Sequence, residues 1–268
     1  MKFKLTLIFF SLNYIRNKGN KMKLTVNGKN LTLHYLTVVG STLHKLNGEN
    51  SDLDCKGVFT WEQDVVNGLV VPPDTLDNKN MSKEDRAELM KQLSDKFKSH
   101  FDEDLDLFEA RKFFKNAMKS EPNMLDMLYA NTVPGNVLYC DKEFQDVLDN
   151  RKLFVDMSQA KQRFLGMSFN TFKLGKKLKR TKDLAKSLQT LYSFKNMVEN
   201  GEYSPVLKES QRREVLEVKY NAYFVEPDEL SELVNNMRLP LEAECNELEL
   251  PESENNFEAL NKLLLGLH

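Results

Sequence analysis

The sequence predicts an α/β (α+β) protein, with a small mixed sheet in its first half and a helical second half. Three observations carry that prediction. Short alternating or apolar runs, punctuated by Asn-Gly, Gly-Ser and Pro-Pro, lie ahead of residue 140. From about Lys142 the chain reads as helical throughout, with Gly201 and Pro205 ending one long element. A length of 268 residues with 41% hydrophobic side chains supplies a core for one large domain or two modest ones. The expected division is an extension over 1–21, a sheet-bearing unit over 22–140 and a helical region over 141–268.

The extension opens with Lys2 and Lys4 ahead of an apolar run from Leu5 to Leu12. That run resembles a short signal peptide, but no small-residue cleavage site follows before Arg16-Asn17-Lys18. It is also too short to span a membrane as a helix. Met22-Lys23-Leu24 reads as a more ordinary start. Lys23–Val26 and Leu31–His34 alternate around Asn27-Gly28-Lys29, the pattern of a hairpin. Leu36-Thr37-Val38-Val39 then reads as a buried strand running into Gly40-Ser41, although Leu31–Leu36 is also compatible with the start of a helix.

Gly40 can adopt backbone angles that present N–H groups to an anion, and the Ser41 hydroxyl adds a donor. Shortly afterwards comes Ser51-Asp52-Leu53-Asp54-Cys55-Lys56-Gly57-Val58. On a strand, Asp52, Asp54 and Lys56 point to one face and Leu53 and Cys55 to the other. Carboxylates about 7 Å apart repel each other unless a cation lies between them. Hard oxygen ligands of this kind suit Mg2+, which takes one or two protein carboxylates together with substrate phosphates. Lys56, on the same face, is placed to neutralise phosphate charge or to sit on the surface.

Beyond Val70-Val71-Pro72-Pro73, Ser82 followed by Asp85 marks a helix start, and Leu89, Leu93 and Phe97 recur at helical spacing. A strand containing Asp104-Leu105-Asp106 follows, with helices expected over Glu109–Lys119 and Asn123–Tyr129. In the second half Leu184, Leu188, Leu191 and Val198 form an apolar stripe, for which core packing is a sufficient explanation.

Charge is distributed unevenly. From Lys161 to Lys186 there are nine Lys/Arg against the single acid Asp183, and from Glu226 to Glu258 there are eleven acids against the single Arg238. The basic stretch suits a triphosphate or an RNA backbone, or else forms a solvated helical face. Cys55, Cys140 and Cys245 lack Cys-x-x-Cys spacing. They support neither a zinc site nor a disulfide framework, so a reduced, cytoplasmic compartment and no membrane partner are expected. Of the four histidines only His44 lies near the Gly-Ser turn, and a polar surface role is expected for it.

Gly-Ser, a spacer and Asp-x-Asp resemble the signature of nucleotidyltransferases of the DNA polymerase beta superfamily. More narrowly, Gly40–Leu46 with Ser51–Val58 is similar to the nucleotidyltransferases of bacteria and large phages, some of them associated with RNA ligases. Lys45 stands where those relatives usually have Gly. The resemblance implies a polymerase-beta-type sheet and a third carboxylate on a later strand. Spacing to Lys112-Phe113 favours Asp104 for it, with Asp106 as the competitor on the same face. It further implies that Gly40 and Ser41 hold terminal phosphates and that a helical second half closes over the nucleotide. Lys182 matches a Lys of the relatives, while Lys186 and Gln189 stand where they tend to have His and Arg.

The reaction this implies is transfer of a nucleoside monophosphate from NTP to an acceptor hydroxyl, with pyrophosphate released. Asp52, Asp54 and Asp104 would hold two Mg2+ ions, and Gly40, Ser41, Lys56 and Lys182 the nucleotide. An RNA end is the first choice of acceptor, with a protein hydroxyl or a small molecule as alternatives. A non-catalytic nucleotide sensor or interaction module is the reading from a different class.

Overall fold

The computed structural model describes residues 21–48, 51–97, 104–220, 226–251, 253 and 256–268. Apart from Lys21, the expected extension lies outside these residues. Strands β1 (Met22–Val26) and β2 (Lys29–Val38) form the anticipated hairpin. Its turn is the two-residue Asn27-Gly28, with φ of +50° and +68°, and Lys29 already belongs to β2. Positive φ at both positions is the primed turn whose twist matches that of the flanking strands.

Strand β2 is buried along nearly its whole length, because the sheet is covered on both faces. That double burial gives Leu31–Leu36 its unbroken apolar look and overturns the alternative of a helix there. Strand β3 (Cys55–Trp61) pairs antiparallel with β2, and β5 (Leu105–Glu109) pairs parallel with β3. The short β4 (Thr75–Leu76) closes that edge. Strand β6 (Val137–Cys140) pairs with β2 at Tyr35–Thr37, just past the residues paired with β1. At two and four residues, β4 and β6 are too short to show a period, and the sequence reading misses both.

One sheet face packs Leu24, Phe59 and Leu107 against Leu89 and Leu93 of α3 (Lys83–Phe97). The anticipated start of that helix is present, since the Ser82 hydroxyl accepts from the Asp85 N–H at 3.1 Å and donates to its carboxylate at 2.7 Å. The other face carries Tyr35 and Val58. These pack on α4 (Ala110–Ala117), α5 (Pro122–Tyr129), α6 (Lys142–Asp149) and the helices that follow, through Phe113, Leu125, Phe144 and Phe164. Glu109 ends β5 rather than beginning α4, and its carboxylate caps the helix by accepting from Arg111 N–H at 2.8 Å. His34 ties this face together. Its ring nitrogens lie 2.6 Å from Asp141, the cap of α6, and 2.9 Å from Thr60 on β3.

The expected long helical element is two helices, α7 (Met157–Leu178) and α8 (Thr181–Asn200). Lys179 takes a left-handed φ of +53° at the corner between them. A Cβ on Gly175 would stand 2.9 Å from the Leu184 backbone nitrogen, so only glycine permits so close a turn. Gly201, also left-handed, ends α8 as anticipated. Helices α9 (Glu209–Tyr220), α10 (Pro227–Glu247) and α11 (Phe257–Leu267) complete the second half. Two very short helices, α1 (Gly40–Leu43) and α2 (Gln63–Val66), follow β2 and β3. No helix among the described residues is long and apolar enough to cross a membrane.

Candidate active site

The site forms where β2 ends and β3 and β5 begin. After Val38 the chain turns through Gly40, which has a φ of +65° and opens α1. Val39 N–H donates to the Asp54 carbonyl at 2.9 Å, holding the turn against the start of β3. A Cβ on Gly40 would lie 2.0 Å from Asp54 Oδ2. Glycine is therefore required twice, for its backbone angle and for the space that the carboxylate fills.

Strand β3 begins at Cys55, so Asp52 and Asp54 lie just ahead of it and not within it. Asp54 is half-buried and Asp52 exposed. Cys55 is buried beneath, as expected. The Cys55 N–H donates to the Asp104 carbonyl at 2.9 Å, which sets Asp104 beside Asp54 at the same sheet end. One residue further on, Lys56 and Asp106 are register partners joined by a 2.7 Å ion pair, and the Lys56 ammonium also sits 5.4 Å from the Phe108 ring centre. Lys56 thus already neutralises Asp106, while Asp104 makes no ion pair among the described residues.

These groups line a cavity of about 390 Å³ closed by the helical half. Gly40, Ser41, Asp54 and Asp104 are on the sheet side; Lys182, Lys186, Gln189 and Lys219 come from α8 and α9. Asp52 is not among the lining residues. Burial pushes Asp54 above the ordinary carboxylate range, and the Asp104 and Asp52 charges add to the rise against the pull of Lys182 and Lys56. Burial likewise pushes Lys186 below the usual lysine range, against the opposing effects of Asp126 and Asp54.

As donors, the crowded carboxylates fit a hard divalent cation, which would relieve their mutual repulsion. Among the described residues, no three His, Cys, Asp or Glu side chains are already gathered into a metal-binding group.

His44 departs from expectation. It is buried rather than on the surface, because α1 is covered by α5 and by the segment after α8. Its Nδ1 donates to the Pro205 carbonyl at 2.7 Å, and its Nε2 lies 3.1 Å from Asp126 Oδ2 and 3.5 Å from Lys186 Nζ. Tyr203 donates to the other Asp126 oxygen at 2.5 Å. Burial alone would raise the Asp126 carboxyl, but His44, Lys186 and Tyr203 outweigh it and hold the group at about 2.

Sequence reasoning missed Asp126 and Lys219. Asp126 left a signal, as a lone acid inside the apolar run Met124-Leu125-Asp126-Met127-Leu128. Lys219 left none. It reaches back to the carbonyl of Leu46 at 2.6 Å, where Tyr220 also donates, while Arg212 donates to the Lys45 carbonyl at 3.2 Å. Lys45 itself has a φ of +56°, so the residue found in place of the relatives' usual Gly holds a backbone conformation suited to Gly.

The basic stretch at the α7–α8 corner leads into Lys182. Lys173, Lys176 and Lys177 are exposed, whereas Lys179 pairs with Asp228 at 3.2 Å and Arg180 with Asp183 at 2.8 Å. Part of the acidic segment therefore offsets the basic one.

The sequence model of the RNA repair pathway DNA polymerase beta family (RlaP) matches residues 16–265, nearly the whole chain. The comparison with curated proteins returned no match.

Proposed function

The chain belongs to the RNA repair pathway DNA polymerase beta family, and on that premise we propose that it moves a nucleoside monophosphate from NTP to a hydroxyl at an RNA end. The observation that carries this reading is the placing of the Asp54 carboxylate against Gly40, with Asp104 alongside, facing a lysine-lined cavity. A polar surface cluster would not need glycine at the contact, nor a carboxylate that burial, with Asp104 and Asp52 adding to it, raises as it does Asp54.

In the proposed reaction the acceptor oxygen attacks the α-phosphorus, the bond from that phosphorus to the β-bridging oxygen breaks, and pyrophosphate leaves. The backbone N–H groups at the start of α1 and the Ser41 hydroxyl bind the terminal phosphates. Lys182 and Lys219 offset the triphosphate charge, and Lys186, tethered beside His44, sets the depth to which the nucleotide enters. Asp104, without an ion pair among the described residues, is the base that receives the acceptor proton. Asp54 and Asp104, with Asp52 from the rim, would hold Mg2+, which when bound neutralises the triphosphate and lowers the pKa of the acceptor hydroxyl. Lys56 acts mainly through Asp106, keeping that carboxylate occupied so that Asp104 is the third acid. Exposed Lys173, Lys176 and Lys177 lie along the chain that enters Lys182 and supply an approach for the RNA backbone.

The test incubates the protein with each labelled NTP, Mg2+ and a pool of RNA or protein acceptors, with Asp54→Asn in parallel. Label transferred to RNA by the wild type and not by the variant is expected. Label on protein alone would replace the acceptor, and NTP binding without transfer would leave a sensor.

A further inference from the structure

A second cavity, of about 540 Å³, opens at the other end of the sheet. Trp61 and Glu109, the last residues of β3 and β5, mark its floor, whereas Asp54 and Asp104 precede the first residues of the same strands. Asp104, just ahead of β5, and Glu109 at its end are five residues apart, about 17 Å at the usual rise. The catalytic pocket and this cavity share no lining residue.

One wall is cationic. Arg111, Lys112, Lys115 and Lys119 line it from α4 and the turn after it. Lys112 is committed to Asp74 at 2.8 Å. Arg111, Lys115 and Lys119 are exposed and enter no ion pair among the described residues. Arg111 and Lys115 are four residues apart on α4, about 6 Å along its axis, and Lys119 follows from the turn after it. The Arg111 backbone N–H is bonded to Glu109, whereas its charge works against the burial that raises Glu109 and adds to the burial that lowers His268. The opposite wall is apolar. Val66, Val71 and Pro72 form it, and the loop tip beyond stands in solvent, with Leu69, Val70 and Val71 at 106, 70 and 87% exposure.

We propose that this groove binds a single strand of RNA, its phosphates on Arg111, Lys115 and Lys119 and its bases against the aliphatic loop. A row of unpaired cations facing an apolar wall complements a chain with a charged backbone and flat apolar base faces. Free phosphate would use only the cations and would leave the wall unexplained. The inference rests on the reading that RNA is the substrate, and it adds an anchoring site distinct from the transfer pocket. RNA held there would be retained between encounters of its end with the lysine-lined cavity.

The test measures binding of a fluorescent oligouridylate of about 20 nucleotides by anisotropy between 50 and 200 mM salt. The triple variant Arg111→Gln, Lys115→Gln, Lys119→Gln is expected to bind at least tenfold more weakly. Its slope of log affinity against log salt should flatten by about 2, three contacts at roughly 0.7 each. Lys115→Gln and Lys119→Gln alone alter only exposed side chains and guard against misfolding; each should flatten the slope by about 0.7. NTP affinity should not change. Unaltered RNA affinity and slope in the triple variant overturn the inference, as does equally tight, competing binding of polyglutamate, which would assign the groove to an acidic protein. Asp54→Asn separates the two readings, because it should abolish transfer yet bind oligouridylate like the wild type. If the triple variant binds RNA normally while Asp54→Asn loses transfer, the groove proposal falls and the transfer reading stands.

Discussion

Replacing Gly40 with Ala tests the site at its tightest contact, and Gly28 provides a matched control. Both glycines have nearly the same left-handed φ, +65° and +68°. A side chain in that region costs about 1–2 kcal/mol, of which roughly 0.4–1 kcal/mol returns through the stiffer unfolded chain. Each Ala variant should therefore lose about 1 kcal/mol, or about 2–4 °C in Tm for a chain of this size. Their surroundings differ. A Cβ at Gly28 meets nothing within 4 Å, whereas at Gly40 it lies 2.0 Å from Asp54 Oδ2. Ordinary contact begins near 3.4 Å, so the carboxylate must move by more than an ångström. A displacement of that size costs about 10²-fold in rate. Steady-state transfer of labelled NTP to RNA, with thermal melts of both variants, should show equal melting losses but a selective ~100-fold fall in kcat for Gly40→Ala. If Gly40→Ala folds and transfers within about threefold of the wild type, the placing of Asp54 against the turn is irrelevant to the chemistry.

Three further outcomes follow from the same geometry. Asp54 is raised in the fold, so its ionised form weakens the protein once pH rises past the ordinary Asp value near 4. Asp54→Asn should melt at or above the wild-type temperature at pH 7, with the gap closing below pH 4, while transfer drops by about 10³-fold; a lower Tm at pH 7 would count against the crowding described. Asp126, held at about 2, contributes stability above pH 4 that is lost as pH falls from 4 towards 2. Asp126→Asn should cost about 3–5 kcal/mol at pH 7 by urea unfolding and should flatten that acid limb, and an unchanged limb would assign it to other groups. Lys45→Gly should leave stability unchanged or raise it by up to about 1 kcal/mol, because the left-handed backbone is relieved while Arg212 keeps its bond to the carbonyl. A clear loss would mean that the Lys45 side chain has a role of its own.

What the sequence reveals here depends on the range of the interaction. The Asn27-Gly28 hairpin, the start of α3 at Ser82 and the end of α8 at Gly201 are set by residues within a few positions, and each is where local chemistry puts it. Gly40 and Asp54 could be named because both belong to a compact motif, and in the structure Asp104 lies beside Asp54 through the bond from Cys55 N–H to its carbonyl. The corner at Lys179 could not be read, because it depends on Gly175 meeting Leu184 across two helices and not on a breaker at the corner itself. His44 was misjudged for a related reason. Its partners Asp126, Lys186 and Pro205 lie 82, 142 and 161 positions away, and nothing near residue 44 announces them.

Those long separations also set an order of events during synthesis. The loop that follows the Gly-Ser turn is fastened by Pro205, Arg212, Lys219 and Tyr220, the last two reaching Leu46 across 173 and 174 positions. At about 5–20 residues per second, a ribosome needs roughly 10–35 s after Leu46 to deliver those fasteners. The turn exists throughout that interval and Asp54 and Asp104 join it well before its end, but the loop beside them is not yet fastened. A nascent or prematurely terminated chain therefore carries the motif without its clasp, and the cavity wall that Lys219 completes arrives late, with α9.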